Sequence, residues 1–318
     1  MFRLQYSSTM MKYFSRLVSF ESEDGQKRFF ADLGSVSDVP AQGASISAYE
    51  SFQDLLEGKN EVTAVIGKLL APIPRHDLPI YCVGLNYRSH AKEANLNIPT
   101  NPPLWTKPAA ALASPDEDIN MSRYCTSNFP DWEGELVFVT SKECRDVSAD
   151  EAESCILGYT IGNDLSCRVF QLPAQNGGQF FYAKAFDKFA PIGPVLVSPE
   201  VLTQGREWRL VTKINGEVMQ DADIKKDMVF SAAQILSFMS QSTTIPAYTA
   251  VMTGTPSGVG AFRAPKRFLN HGEVVEIEIS NIGILKNKIL FPAGKQPVFL
   301  TYLRLLYSMI VHKMCLLW

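Results

Sequence analysis

The sequence predicts an α+β protein, mainly β, built from mixed sheets that close on themselves rather than from a doubly wound sheet. Two observations carry this expectation. From Ile80 onward the chain is a series of short apolar or alternating runs separated by Gly, Asn and Asp turns, with a few short helical patterns between them. No segment repeats at solenoid length. At 318 residues and 46% apolar, the chain can bury the core of one large domain with a smaller appendage.

The first element is a hairpin. YFSRLVSF (13–20) and QKRFFADL (26–33) are rich in strand formers and flank Glu23-Asp24-Gly25, and Asp-Gly between such runs turns a strand back on itself. A polar stretch, SVSDVPAQGAS, leads into AYESFQDLLEGKNEVTAVIGKLL (48–70), which carries a helical pattern. The three prolines of APIPRHDLP (71–79) mark a linker between a small N-terminal domain, 1–75 with 1–10 as an extension, and a larger domain, 76–290. In the larger domain IYCVGLNY is a buried strand ending in a turn, SHAKEANL a short helix and DWEGELVFVT (131–140) a strand. SADEAESCILG reads as a helix with a capping box from Ser148 to Glu151, closed by Gly158, and YTIGNDLS returns as strand and loop. WRLVTKINGEVMQD is a hairpin turning at Asn215-Gly216, SAAQILSFMSQ a helix capped by Ser231 and Gln234, and GEVVEIEIS a strand. The tail, 291–318, is atypically hydrophobic. Its last 21 residues approach the length of a membrane span, but Arg304 at their centre and the His312-Lys313 pair disfavour one.

Composition narrows the chemistry. Thirty Lys and Arg against 33 Asp and Glu, with no dense basic block, argue against nucleic acid or an anionic membrane as partner. The six cysteines form no C-x-x-C pair, which favours a reduced, cytoplasmic protein. A mitochondrial location is the alternative, because the first twenty residues hold Arg3, Lys12 and Arg16 and no acid. With four histidines in the chain, a zinc site is hard to assemble, and any metal should be a hard ion on oxygen ligands.

Four stretches could carry chemistry. In DWEGELVFV, strand alternation puts Asp131, Glu133 and Glu135 on one face with Val137 and Val139, so two glutamates stand side by side and call for a cation between them. Asp164, ending the next strand, could complete a three-carboxylate site for magnesium, manganese or calcium; a solvated acidic edge is the alternative. On a helical SHAKEA, His90 and Glu93 are i,i+3 neighbours, either an oriented general base or a surface charge pair. Lys184, in the aromatic segment FFYAKAFDKFAPIGP, could stabilise an oxyanion or could simply snorkel. TGTPSGVG (253–260) lacks the residues of a phosphate loop or a dinucleotide turn, which leaves a tight turn or a backbone cradle for a small carboxylate or carbonyl. No G-x-S-x-G or H-E-x-x-H is present, against serine hydrolases and zinc proteases.

Taken together and in order, CVGLNYRSHAKEAN, PPLWTKP, DWEGELVFV, GYTIGNDLSCR, FYAKAFDKFAPIGPVLV, INGEVMQD, DMVFSAAQILSF, TGTPSGVG and HGEVVEIEI resemble the fumarylacetoacetate hydrolase family. The resemblance runs from about Ile80 to Lys288 and implies a mixed β-sandwich roll behind a small N-terminal domain, working as a homodimer. It implies a divalent ion, typically Mg2+ with Mn2+ or Ca2+ as alternatives, on Glu133, Glu135 and Asp164. It implies that His90 and Glu93 activate water on a segment that orders over the ligand. Lys184, and with it Arg168, Gln171 and the Thr253-Gly254-Thr255 turn, would then meet the carboxylate or enolate oxygen of a 2-oxo acid or β-diketo acid substrate. The expected reaction is hydrolysis of a carbon–carbon bond in an acylpyruvate-like molecule. Tautomerisation or decarboxylation of oxaloacetate by the same residues is one alternative, and a catalytically idle metabolite-binding dimer is another. The sequence departs from the family pattern at Val169, where an acid commonly follows the arginine, and at Ala183, where glycine commonly precedes the lysine.

Overall fold

The computed structural model describes residues 14–204 and 207–293. The chain opens with the expected hairpin, β1 (Arg16–Ser22) and β2 (Arg28–Asp32), followed by β3 (Ser45–Ala48). The helical expectation for 48–70 holds only for α1 (Phe52–Glu57); the rest is strand β4 (Val62–Leu70). Gly58 and Asn60 explain the difference. Both adopt positive φ, 62° and 56°, which stops the helix, and the β-branched Val62, Thr63, Val65 and Ile66 beyond them favour a strand.

After the proline-rich connection come β5 (Ile80–Val83), α2 (Arg88–Ala94), β6 (Leu104–Lys107), β7 (Leu112–Ala113), β8 (Ile119–Asn120) and α3 (Arg123–Thr126). DWEGELVFVT is not one strand. It splits into β9 (Pro130–Asp131) and β10 (Gly134–Thr140), with Trp132 and Glu133 at the break. Gly134 forces the split: a Cβ there would lie 2.3 Å from Thr212 Oγ1, so the backbone presses directly on the second sheet. The capping box at Ser148 and Glu151 is present on α4 (Ala149–Glu153), but Gly158 does not close that helix. It lies inside β11 (Ile156–Asn163), where a Cβ would sit 2.4 Å from the Val197 carbonyl oxygen, so glycine permits the close approach of a neighbouring strand.

Then follow β12 (Ser166–Cys167), a short 3-10 turn over Arg168–Gln171, α5 (Pro173–Asn176), α6 (Phe181–Lys184), β13 (Ala190–Val197) and α7 (Pro199–Gln204). The hairpin at Asn215-Gly216 forms as β14 (Arg209–Ile214) and β15 (Glu217–Asp223), succeeded by α8 (Ile224–Asp227) and α9 (Ala232–Met239), whose Ser231 and Gln234 make the expected cap. The described chain closes with β16 (Ala250–Met252), β17 (Val274–Ile279) and β18 (Gly283–Leu290).

Among the described residues the strands form an eleven-stranded mixed sheet running β3-β4-β1-β13-β11-β10-β16-β5-β6, with β2 on β1 and β7 on β13. A five-stranded sheet, β15-β14-β17-β18-β8, packs against it. The fold is therefore α+β and mainly β, as expected. One continuous core lies between the sheets, joining Leu136, Ile161 and Val195 of the first to Leu210, Val275, Ile277 and Leu285 of the second. β1 also hydrogen-bonds to β13 at Arg16↔Val197 and Leu17↔Leu196, so the N-terminal hairpin shares the large sheet. Five described cysteines, 82, 125, 144, 155 and 167, are buried free thiols. The 1–10 extension, Cys315 and the tail from 294 onward lie outside the described residues, and no described helix is long and apolar enough to cross a membrane.

Candidate active site

The antiparallel register Gly134↔Asn163 and Glu135↔Gly162 brings the acidic head of β10 against the end of β11. Asp164 follows directly and donates its backbone N–H to the Glu133 carbonyl at 2.9 Å. As a result Glu133, Glu135 and Asp164, all buried, bring carboxylate oxygens within 4.8 Å of one another. The acidic face read from strand alternation is thus a buried cluster, and the solvated-edge alternative is excluded by its burial.

Cations surround it unevenly. Lys184, ending α6, donates to Asp164 Oδ2 at 2.6 Å, Ser166 Oγ at 2.8 Å and Glu133 Oε2 at 3.0 Å, so its three N–H bonds are spent inside the cluster. Arg168 reaches Glu133 Oε1 at 2.5 Å and Asp131 Oδ2 at 2.7 Å, and its Nη1 also donates to Gln171 Oε1 at 3.0 Å. Its Nη2 is buried without an acceptor. Lys107, at the end of β6, was missed by sequence reasoning. It is fully buried and donates to the carbonyls of Leu165, Lys184 and Phe189 at 3.1, 2.8 and 2.8 Å. Its Nζ also lies 2.6 Å from Asp164 Oδ1; with its three protons directed at carbonyls, that contact is ionic rather than a directed hydrogen bond. The only signal for it in the sequence was a lysine closing an otherwise apolar strand in PPLWTKP.

These contacts give the two glutamates opposite character. Burial pushes the Glu133 carboxyl up, but the Lys184 ammonium and Arg168 guanidinium outweigh it and draw it down to about 2. Glu135 has only the Gly254 N–H, 2.7 Å from Oε2, and its Oε1 is buried with no partner. Burial, with Asp164 and Glu133 adding repulsion, holds its carboxyl well above the ordinary range. Asp131, which strand alternation put on the same face, turns away at the break. It is buried rather than superficial and accepts from the Gly260 and Ala261 N–H groups, both at 2.9 Å, as well as from Arg168. Four buried acids, Asp131, Glu133, Glu135 and Asp164, face three buried cations, Lys107, Arg168 and Lys184, which leaves Glu135 as the acid without a cation.

His90 and Glu93 form the pair their spacing suggested. On α2, His90 Nδ1 lies 2.7 Å from Glu93 Oε1, and Glu93 Oε2 accepts the Gly258 N–H at 2.9 Å. The pair belongs to the same site, since His90 is near enough to contribute to the lowering of Glu133. Phe262 packs edge-on against the imidazole, with centroids 5.5 Å apart. The 253–258 turn links the two halves: Gly254 bonds Glu135 and Gly258 bonds Glu93. Thr253 Oγ1 and Thr255 Oγ1 donate to the carbonyls of Leu136 and Gly134, at 2.8 and 2.9 Å. Sequence reasoning set Lys184, Gln171 and the two threonines against the substrate; here Lys184 and the threonine hydroxyls are engaged in building the cluster, Gln171 accepts from Arg168 through Oε1, and Arg168 Nη2 is a buried donor without an acceptor.

The donor set suits a hard divalent ion: three buried carboxylates and an orphaned oxygen on Glu135 match its oxygen preference, and a cation there would supply the counter-charge that Glu135 lacks.

The family model for the fumarylacetoacetate (FAA) hydrolase C-terminal domain covers residues 79–290, and the chain belongs to the fumarylacetoacetate hydrolase family. Oxaloacetate tautomerase FAHD2A, mitochondrial, of Bos taurus is 35% identical over 232 residues, 73% of this chain and 71% of that relative. Oxaloacetate tautomerase YisK of Bacillus subtilis (strain 168) is 36% identical over 224 residues, 70% of this chain and 73% of that relative. The solved structure of 2-hydroxyhepta-2,4-diene-1,7-dioate isomerase from Mycobacterium marinum aligns with a TM-score of 0.69 at 31% identity, covering 88% of this chain and all of that one.

Proposed function

We propose that this protein is a divalent-metal-dependent enzyme that interconverts the keto and enol forms of oxaloacetate. The observation that carries the reading is the His90–Glu93 pair beside the Glu133–Glu135–Asp164 cluster, in a chain whose relatives of similar length include proteins named oxaloacetate tautomerases. Glu133, Glu135 and Asp164 would hold the divalent ion, which would supply Lewis acidity toward the 2-oxo carbonyl. The chain's own residues do the rest. Glu93 accepts a hydrogen bond from His90 Nδ1–H, which leaves Nε2 unprotonated as the base, and it stabilises the imidazolium that forms once Nε2 has taken up a proton. Nε2 takes a proton from C3, the C–H pair becomes the C2–C3 double bond, and the carbonyl pair moves onto O2. The same nitrogen then returns the proton to O2, so no water is consumed and no carbon–carbon bond breaks. Arg168 Nη2, buried and without an acceptor, is the donor available to a substrate carboxylate.

Tautomerisation replaces hydrolysis as the favoured reaction because the two named relatives are tautomerases and the step needs only the one oriented base. The test is oxaloacetate supplied in each form with Mg2+, followed by ultraviolet absorbance and product NMR. Faster keto–enol equilibration without pyruvate supports the reading. No acceleration, together with cleavage of acetylpyruvate or fumarylpyruvate, would replace it with the hydrolase.

Homodimerisation is part of the proposal, supported by the exposed aromatic patch of Tyr124, Phe181 and Tyr182, which are 49, 46 and 53% exposed; sedentimentation equilibrium tests it. The bovine relative's mitochondrial designation supports the mitochondrial alternative, which imaging of the tagged full-length chain would decide.

A further inference from the structure

The His90–Glu93 pair rides on α2, a seven-residue helix that cannot hold its own position. Helices this short are marginal without tertiary support. Its N-cap, Tyr87, provides no side-chain hydrogen bond. The free N–H of Ser89 is instead taken at 2.8 Å by Asp227 Oδ1, from the end of α8, 138 residues downstream. Ser89 Oγ donates to Asp227 Oδ2 in a short hydrogen bond and accepts the Ser257 N–H at 3.1 Å. Both oxygens of Asp227 thus close on the residue preceding His90.

The neighbouring backbone strengthens the clamp. Tyr87 bridges to Met228, and the Val229 N–H donates to the Asn86 carbonyl at 2.8 Å. The Asn86 side chain accepts from the Phe230 N–H at 2.7 Å and donates to the carbonyls of Phe230 and Thr253, at 3.1 and 2.7 Å. The helix is therefore gripped at its start by residues 227–230 and along one side by the 253–258 turn.

We infer that Asp227 is a positioning residue, which acts through Ser89 to fix the rotation of α2 and so to aim the His90 imidazole at the substrate. This rests on the role of the His90–Glu93 pair in the proposed reaction. Asp227 appears in none of the contacts of Glu133, Glu135 or Asp164, so its loss should disturb the base and leave the carboxylate cluster alone.

The experiment compares the full-length protein with Asp227→Ala, Asp227→Asn and Ser89→Ala, by amide hydrogen exchange, by Mg2+ titration of thermal stability, and by kcat and KM for oxaloacetate. In Asp227→Ala we expect amides 89–94 to exchange at least about tenfold faster while those of β10 stay unchanged. The kcat should fall about ten- to a hundredfold, the cost of misplacing a reacting group by an ångström or so. Mg2+ affinity should stay within about twofold. Asp227→Asn, which keeps an acceptor for the Ser89 N–H, should lie between, and serves if the alanine variant does not fold. Unchanged exchange at 89–94 overturns the inference whatever the activity, as does Mg2+ affinity falling in step with kcat. If the unmodified protein leaves oxaloacetate untouched, the tautomerase reading fails, and the exchange measurement, which needs no substrate, still decides whether Asp227 holds α2.

Discussion

Glu135 is the acid without a cation, and replacing it with glutamine should have opposite effects in the absence and presence of metal. Its oxygens lie within 4.8 Å of those of Glu133 and Asp164. At that separation two carboxylates repel by ~3.5 kcal/mol at an effective dielectric of about 20. Burial disfavours the charged form and protonation also relieves this repulsion, so the Glu135 carboxyl sits well above its ordinary value of 4.5. The folded chain then binds this proton more tightly than the unfolded chain does. The associated stability is complete below the unfolded value and is lost as pH climbs through the folded one. With chelator present, the unmodified protein should therefore lose stability on the alkaline side, whereas Glu135→Gln should be about 1–3 kcal/mol more stable there, with a flatter pH dependence. The Gly254 N–H keeps its acceptor in the amide, so the backbone contact survives. With Mg2+ at about one hundred times its Kd, the unmodified protein should gain ~2.7 kcal/mol and the variant almost nothing. Urea denaturation from about pH 6 to 9, in chelator and in Mg2+, reads both effects. A variant less stable than the parent in chelator at every pH, or equally stabilised by Mg2+, would refute the argument.

Three further outcomes follow from the same geometry. Asp164→Ala should abolish Mg2+-dependent stabilisation and turnover together, and full activity in that variant would sink the metal mechanism; it should also lower chelator-state stability, because Lys107 and Lys184 both lose their closest carboxylate. Lys107→Met should cost about 3–5 kcal/mol in a denaturation experiment, since it strands a buried carboxylate and three carbonyls, and a loss under about 1 kcal/mol would show that the ammonium is dispensable. Gly258→Ala should lower both stability and kcat, because its φ is 106° and a Cβ would lie 2.1 Å from the Met219 carbonyl oxygen; crystallography of the variant would show the Glu93 contact lengthened.

Much of the site could be read from the sequence because it depends on short-range spacing. Glu133 and Glu135 are two apart, His90 and Glu93 are one helical turn apart, and the strand–helix–strand unit β10-α4-β11, legible from its own caps and periodicity, returns Asp164 to its partners. The cations could not be read in this way. Lys184, Lys107 and Arg168 reach the carboxylates across 20 to 57 residues of chain, and a lysine or arginine in sequence says nothing about which acid it will meet. The same holds for Asp227, which meets Ser89 across 138 residues of chain. The fold showed the same division. Caps and hairpins at Ser148, Ser231 and Asn215 formed as expected from local chemistry. The helix expected at 48–70 and the unbroken strand at 131–140 failed where a positive φ at Gly58 or a sheet-on-sheet contact at Gly134 overrode the periodicity.

The bond between β1 and β13 bears on how the molecule can be cut. A fragment beginning at residue 79, where the family match starts, would lack the hairpin and leave Leu196 and Val197 at the end of β13 without their β1 partners. An exposed, apolar strand edge of that kind recruits strands from other molecules. The N-terminal hairpin should therefore shield this edge, and a fragment lacking it should self-associate more readily than the full chain.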